Sequence, residues 1–390
     1  MWYNRDMNII QQIFKDHFYD LANTNIKIRK TVFENVERML HCGDFNYGYA
    51  IYGCEQCGKM KTVAFRCKSR FCPTCGNLYS IKRSTNMAFK LLNVTHRHCV
   101  FTIDENLRHF FLEDRNRLNY LFDAVRSVVL RMFQKDNKKL NLKPGFISVL
   151  HTFGRDLKWN PHIHCLISEF GVSNSGIWRK KHHFNYRLMR NSFQTALLNL
   201  LEKDIGTSFK KVKAVCYQKH KNGFYVYAKP NDCQPDQVIK YIGRYLGRPV
   251  IASSRIDSYD GERVTFHYNR HEDNKLVTET LHVYDFIKKL IRHIPEKHFK
   301  MVRYYGIYAR HRESDKKLQR AIPPFKHRFF RSLTSWRNSI FLSFNYDPIK
   351  CSCGNLMCLL DIISHTNSSP ISDTAKKERE ISFSFAFSFF

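Results

Sequence analysis

Two cysteine pairs with the same short spacing constrain this chain more than any other feature: Cys54-Glu-Gln-Cys57 and Cys72-Pro-Thr-Cys75. Each C-x2-C turn offers two thiolates, and two such turns fill the tetrahedral sites of one Zn2+. Such a module has too little apolar surface to fold alone, so the metal would supply much of its folding energy. Free core cysteines would not explain the paired spacing. Six of the 13 cysteines fall between Cys42 and Cys75. A secreted disulfide scaffold would be shorter and would spread its cysteines evenly. The expected structural zinc ligands are Cys54, Cys57, Cys72 and Cys75. Cys42 and Cys67 either hold a second zinc or are buried thiols.

Charge narrows the partner. Lys and Arg number 64 against 34 Asp and Glu in 390 residues, a net charge of +30. A polyanion is implied, with nucleic acid first and a membrane surface second. Eight Lys or Arg and no acid lie between Lys59 and Lys90. Lys59, Lys61, Arg66, Lys68 and Arg70 would therefore meet phosphates, or else form a solvated face. Hydrophobic residues make up 43%, enough for a sizeable core and for two or three domains. No run of 18 apolar residues and no secretory leader is visible, so no membrane partner and a bacterial-type cytoplasmic, nucleoid-associated location are expected.

Periodicity outlines the elements. Residues 1–40 and 113–135 read as helical, the second through Leu118, Leu121, Phe122, Val125, Val128, Val129 and Met132. A basic helix is expected over 78–92 and a strand over 98–103. Apolar runs at 146–153 and 161–168, separated by turn residues, predict a β-hairpin. Residues 184–203 read as helix. Residues 211–218 and 223–229 read as strands joined by an Asn222-Gly223 turn. Residues 235–247 read as helix and 250–283 as short strands. The fold class predicted is α+β with a central antiparallel sheet. Residues 286–332 carry 14 Lys or Arg against three acids, interleaved with Tyr304, Tyr305, Tyr308, Phe329 and Phe330, which suits single-strand binding by charge and stacking.

Two constellations carry chemistry. His162-Ile-His164 sits on the second hairpin strand, where residues i and i+2 share a face, so both imidazoles form a metal platform. Tyr241 and Tyr245 share one face of a helix, about 6 Å apart along its axis. Two phenols placed so could attack phosphorus, although two tyrosines packing on a core is the plainer reading of that helix alone.

Taken together, the motifs resemble the insertion-sequence-91 family of rolling-circle transposases, whose nuclease belongs to the HUH superfamily. The matching segments are Cys54-Glu-Gln-Cys57, Cys67-Lys-Ser-Arg-Phe-Cys72-Pro-Thr-Cys75, His98-Cys-Val-Phe-Thr102, His151-Thr-Phe-Gly-Arg-Asp-Leu157, Asn160-Pro-His-Ile-His164 and Tyr241-Ile-Gly-Arg-Tyr-Leu-Gly-Arg-Pro249. Arg303-Tyr-Tyr-Gly306 and Asp347-Pro-Ile-Lys-Cys351 also look like the family. Two departures stand out. Phe71 replaces a histidine seen in many relatives, and the late knuckle reads Cys351-x-Cys353 rather than C-x2-C.

The resemblance implies a small N-terminal zinc-ribbon-like module and an HUH nuclease core. It implies an endonuclease and strand transferase on single-stranded DNA, with Mg2+ or Mn2+ on His162, His164 and a third ligand. Tyr241 and Tyr245 would be the nucleophiles. His151, on the partner strand, is the first candidate for the third ligand, and Gln237, one turn before Tyr241, is the second. Arg244, Arg248 and Arg303 would hold DNA. The expected layout is a helix and zinc domain at 1–92, a nuclease domain at 93–295, a basic aromatic region at 296–365 and a disordered tail at 366–390. Two other functions fit parts of the pattern: a rolling-circle replication initiator, and a non-catalytic zinc-ribbon DNA-binding protein. Basicity by itself also allows RNA.

Overall fold

The computed structural model describes residues 8–88, 91–92, 94–136, 140–228, 250–270, 272–309, 332 and 335–364. In chain order the helices α1 (Ile9–Ala22) and α2 (Lys30–Leu40) precede β1 (Tyr49–Gly53), β2 (Met60–Ala64) and α3 (Pro73–Ala88). Then come β3 (His96–Phe101), α4 (Phe110–Glu113), α5 (Leu118–Asp136), β4 (Lys143–Phe153), β5 (Trp159–Val172) and β6 (Trp178–Lys180). Next are α6 (Tyr186–Ile205), α7 (Lys210–Lys219), β7 (Val226–Ala228), β8 (Ile256–Tyr259), β9 (Arg263–Asn269) and β10 (Leu276–His282). The described chain closes with α8 (Val283–Ile291), β11 (Val302–Gly306), α9 (Trp336–Phe344) and β12 (Cys358–Ile363).

Two compact units are formed. The larger takes the described residues of 1–40 and 68–348, the smaller those of 41–67 and 349–364. The smaller is therefore built from two distant stretches of chain. It contains a three-stranded antiparallel sheet of order β12-β1-β2, with Tyr49 opposite Ile363 on one side and Ala64 on the other.

The larger unit is organised by an antiparallel sheet of order β11-β4-β5-β3-β7, with β6 added to β5. The expected α+β architecture with a central antiparallel sheet is what the chain adopts. The pleat sends alternate residues to opposite faces. On one face Phe101, Phe146, Leu150, Ile163, Ile167 and Val226 pack beneath α5 and α6 in the main core. All seven apolar residues that predicted α5 are buried there. Burying each such side chain contributes about 1.5–3 kcal/mol, so this face dictates how the strands align. The other face carries Ile147, Val149 and Leu166, packed with Leu91, Leu92, Ile307 and Tyr308.

Residues 211–218 depart from expectation, because they lie in the helix α7. Phe209, Val212 and Cys216 follow helical spacing and pack on the main core. Ala214, which would share the buried face of a strand with Cys216, is exposed together with Val215 and Tyr217. Gly223 therefore joins a helix to β7 rather than two strands. Its φ is +80°, and a Cβ there would lie 2.3 Å from the carbonyl carbon of Arg190.

Residues 250–283 form the expected short strands, a sheet of order β10-β9-β8 followed directly by α8. The aromatics of β11 are partly structural. Tyr305 stacks on Phe146 with ring centroids 4.7 Å apart. Tyr308 is buried, and its hydroxyl lies 2.6 Å from His96 Nε2. These two rings are therefore not free platforms for bases. The predicted helix at 235–247 and the tail at 366–390 lie outside the described residues.

Gly306 closes β11 against β4. Its φ is +58°, and a Cβ there would sit 1.8 Å from the Pro144 carbonyl oxygen. No side chain fits without moving backbone. Gly306→Ala should therefore lower unfolding free energy by about 2 kcal/mol or more in chemical denaturation. An unchanged midpoint would contradict this packing.

Candidate metal centre

The sheet alternation that buries Ile163 and Cys165 under the helices turns His162 and His164 to the opposite face. In the β4–β5 ladder His151 stands directly opposite His162, and Val149 opposite His164. His151, His162 and His164 thus converge, with their ligand atoms all within 4.8 Å of one another. The His162 and His164 Nε2 atoms are 3.1 Å apart. Two nitrogens so placed can share an ion about 2.1 Å from each, at an angle of roughly 95°. The donor set and spacing fit a divalent metal.

Hydrogen bonding selects the tautomers. His162 Nδ1 lies 2.7 Å from the Asn160 carbonyl oxygen, which only an N–H can satisfy. Its Nε2 is therefore the lone-pair side and faces His164. His164 Nδ1 lies 3.0 Å from Nε2 of His98, on the neighbouring strand β3. If His164 Nδ1–H donates to His98, His164 Nε2 is also left as a lone pair. Such outer partners orient metal-binding imidazoles and raise their basicity. The sequence marked His98 only as the start of a strand and part of a family motif. Its alternation with Cys99 and Phe101, which face the core, was the available signal that it shares the histidine face.

Electrostatics favour neutral rings. Burial lowers the pKa of His162 to about 4, and that of His98 likewise. His164 is pushed well below the usual imidazole value, first by burial and then by the neighbouring imidazoles His151, His162 and His98. Neutral imidazole is the form that binds metals. A further cluster borders these rings. His151 stacks on Phe153, and His293 stacks on Trp159 while its Nδ1 lies 3.1 Å from Thr152 Oγ1.

The cysteines sort differently from the expected zinc site. Cys54 and Cys57 do not join Cys72 and Cys75. Within the smaller unit, Cys54 and Cys57 gather with Cys351 and Cys353, all four sulfurs lying within 4.8 Å of one another. Spacing along the chain suggested the wrong partners because β12 pairs with β1 and brings the late knuckle to the early one. Cys42 and Cys67 are close neighbours in the same unit, the Cys67 backbone N–H donating to Cys42 Sγ at 3.4 Å. Cys72 and Cys75 are buried at the start of α3 in the larger unit.

The basic candidates fall in varied settings. Lys59 is exposed and donates to Ser352 Oγ at 2.8 Å, and Lys68 is exposed with φ +54°. Arg66 lies beneath Gly43, and the Arg70 guanidinium sits 5.3 Å from the Tyr79 ring centroid. Arg303 is engaged within the protein, 4.0 Å from the Phe122 ring centroid and hydrogen-bonded to Asn119. That packing role competes with phosphate binding. Tyr241, Tyr245, Arg244, Arg248 and Gln237 lie outside the described residues.

Comparisons with known proteins bear on both clusters. Residues 145–315, which include His151, His162 and His164, match the family profile described as "Putative transposase". Residues 13–103 match that described as "Transposase zinc-binding domain". The chain is 27% identical over 299 residues to the "Transposase for insertion sequence element IS801" of Pseudomonas savastanoi pv. phaseolicola, covering 72% of this chain and 71% of that protein. It is 28% identical over 292 residues to "Putative transposase y4qJ" of Sinorhizobium fredii (strain NBRC 101917 / NGR234), covering 70% and 73%. No solved structure matches. Among the described residues no helix is long and apolar enough to cross a membrane. With one profile over the histidine sheet and another over the cysteine-rich N-terminal part, the chain belongs to the insertion-sequence-91 family of transposases.

Proposed function

We propose that this transposase cuts and rejoins single-stranded DNA by an HUH-type reaction in rolling-circle transposition. The convergence of His151, His162 and His164 on one sheet face carries the reading. His151 is the third ligand. When bound there, a divalent ion would act as a Lewis acid on a non-bridging oxygen of the scissile phosphate. An all-nitrogen set suits Mn2+ better than Mg2+, which prefers oxygen.

The remaining chemistry belongs to the chain. Tyr241 or Tyr245 supplies the phenolic oxygen, which forms a bond to phosphorus as the phosphorus–O3′ bond breaks. The phenolic proton is released, and the departing O3′ takes up a proton to become a free hydroxyl. The product is a 5′-phosphotyrosine. A later 3′-hydroxyl reverses the step on a new strand, so one phosphodiester replaces another. Two tyrosines let one hold a cleaved end while the other makes a second cut. Alignment of attacking and leaving oxygens supplies much of the rate. Arg244 and Arg248 hold phosphate beside the tyrosines. Lys59, Arg66, Lys68 and Arg70 contribute positive charge for phosphates.

A structural zinc belongs to the cysteine-rich part. The matched zinc-binding region, residues 13–103, is where we place it. The names of both relatives favour transposition over replication initiation.

Incubation with a single-stranded oligonucleotide carrying the element's ends and Mn2+ should give a covalent protein–DNA adduct. The double variant Tyr241→Phe, Tyr245→Phe should form none; undiminished adduct would reject the nucleophile assignment. His98→Ala should raise the Mn2+ concentration for half-maximal cleavage about tenfold or more with oligonucleotide affinity unchanged. His98→Gln, which keeps an acceptor for His164, should recover most of the loss. A metal requirement that stays at the wild-type value in His98→Ala would remove His98 from the positioning of His164.

A further inference from the structure

Cys351 and Cys353 lie outside both matched spans, 145–315 and 13–103. Their surroundings are nonetheless those of a metal knuckle. Cys54 Sγ is 3.5 Å from Cys353 Sγ, and Cys57 Sγ is 3.5 Å from Cys351 Sγ. A disulfide needs about 2.05 Å, so these are not bonded pairs. Sulfurs at the corners of a zinc tetrahedron with bonds of about 2.3 Å stand roughly 3.8 Å apart, close to the observed spacing.

Both loops are shaped for ligation. The Cys54 knuckle is closed by Gly58 N–H donating to the Cys54 carbonyl at 2.8 Å, with Gly58 at φ +69°. The late knuckle mirrors it, with Gly354 N–H donating to the Cys351 carbonyl at 3.0 Å and Gly354 at φ +95°. Asn355 Nδ2 lies 3.6 Å from Cys353 Sγ, an orientation that supports a thiolate. The single residue between Cys351 and Cys353 does not stop their sulfurs from reaching the cluster.

We propose that Cys54, Cys57, Cys351 and Cys353 hold one structural Zn2+, so that the zinc-binding module is split between segments 294–299 residues apart. The apolar support is small. Among the described residues of this unit, Cys54, Cys351 and Met357 form a buried cluster with Tyr52 packed against it. Leu359 and Leu360 of β12 stay exposed. A sheet with so little buried surface needs another source of stability, and metal ligation couples directly to folding. The ion is the clasp that keeps β12 on the edge of β1.

Exposure gives a direct test on the wild-type full chain. Cys57 and Cys353 are exposed, and so is Cys358, which is not among the four. Alkylation footprinting by mass spectrometry should show Cys57 and Cys353 reacting at least tenfold more slowly in the zinc-loaded protein than after chelation. Cys358 should react readily in both. Zinc content should fall by one equivalent in Cys54→Ser, by one in Cys351→Ser and by only one in the double variant. If Cys351→Ser is poorly folded, Cys351→His keeps a ligand and should retain the zinc. Equal alkylation of Cys57 and Cys353 with and without zinc, or an additive loss of two equivalents in the double variant, would overturn the proposal. The readouts are independent of DNA cleavage, so failure of the nuclease reading would leave this result intact.

Discussion

The register between β4 and β5 is the constraint on which the rest depends. His151 meets His162 only because Phe146, Leu150, Ile163 and Ile167 are committed to the face beneath α5 and α6. A slip of one residue would reverse every side chain of a strand. It would press two imidazoles into a core of phenylalanines and leave Ile163 and Ile167 on the opposite face. Each misplaced aliphatic side chain would forfeit about 1.5–3 kcal/mol, so the core enforces the histidine geometry. Stability and site are two faces of one ladder. His98 extends the same logic, since β3 pairs with β5 and places it beside His164.

Much of this was legible because it rests on short periods. Apolar runs at 146–153 and 161–168 marked the hairpin, and the i, i+2 rule put His162 and His164 together. The 3.6-residue pattern of 118–132 marked the helix that covers the sheet. The misreadings arose where long-range contacts overrode local pattern. Residues 211–218 read as a strand because an Asn-Gly turn follows them, yet the core meets Val212 and Cys216 at helical spacing. Arg303, Tyr305 and Tyr308 read as a nucleic-acid surface, yet sheet pairing of β11 turns them into packing groups. No local pattern announces that a histidine on β3 will reach one on β5.

The thiols show the same limit in another form. Spacing tells which cysteines lie in a knuckle but not which knuckles share an ion. Cys54-x2-Cys57 and Cys72-x2-Cys75 were the nearest pairs in sequence, and the folded chain chose Cys351 and Cys353 for the first of them. The choice follows from backbone pairing, because β12 lies along β1 in antiparallel register. A chain whose early and late segments form one unit gains stability from a metal that joins them, since the closed loop is long.

The central claim is that three imidazoles on one sheet face hold a divalent ion. Nitrogen ENDOR of the full chain loaded with one equivalent of Mn2+ addresses it most directly, because directly bound imidazole nitrogen couples to the electron spin. The account predicts couplings from bound imidazole that disappear in His162→Ala. A tightly bound Mn2+ without nitrogen coupling, or a spectrum unchanged in His162→Ala, would contradict it.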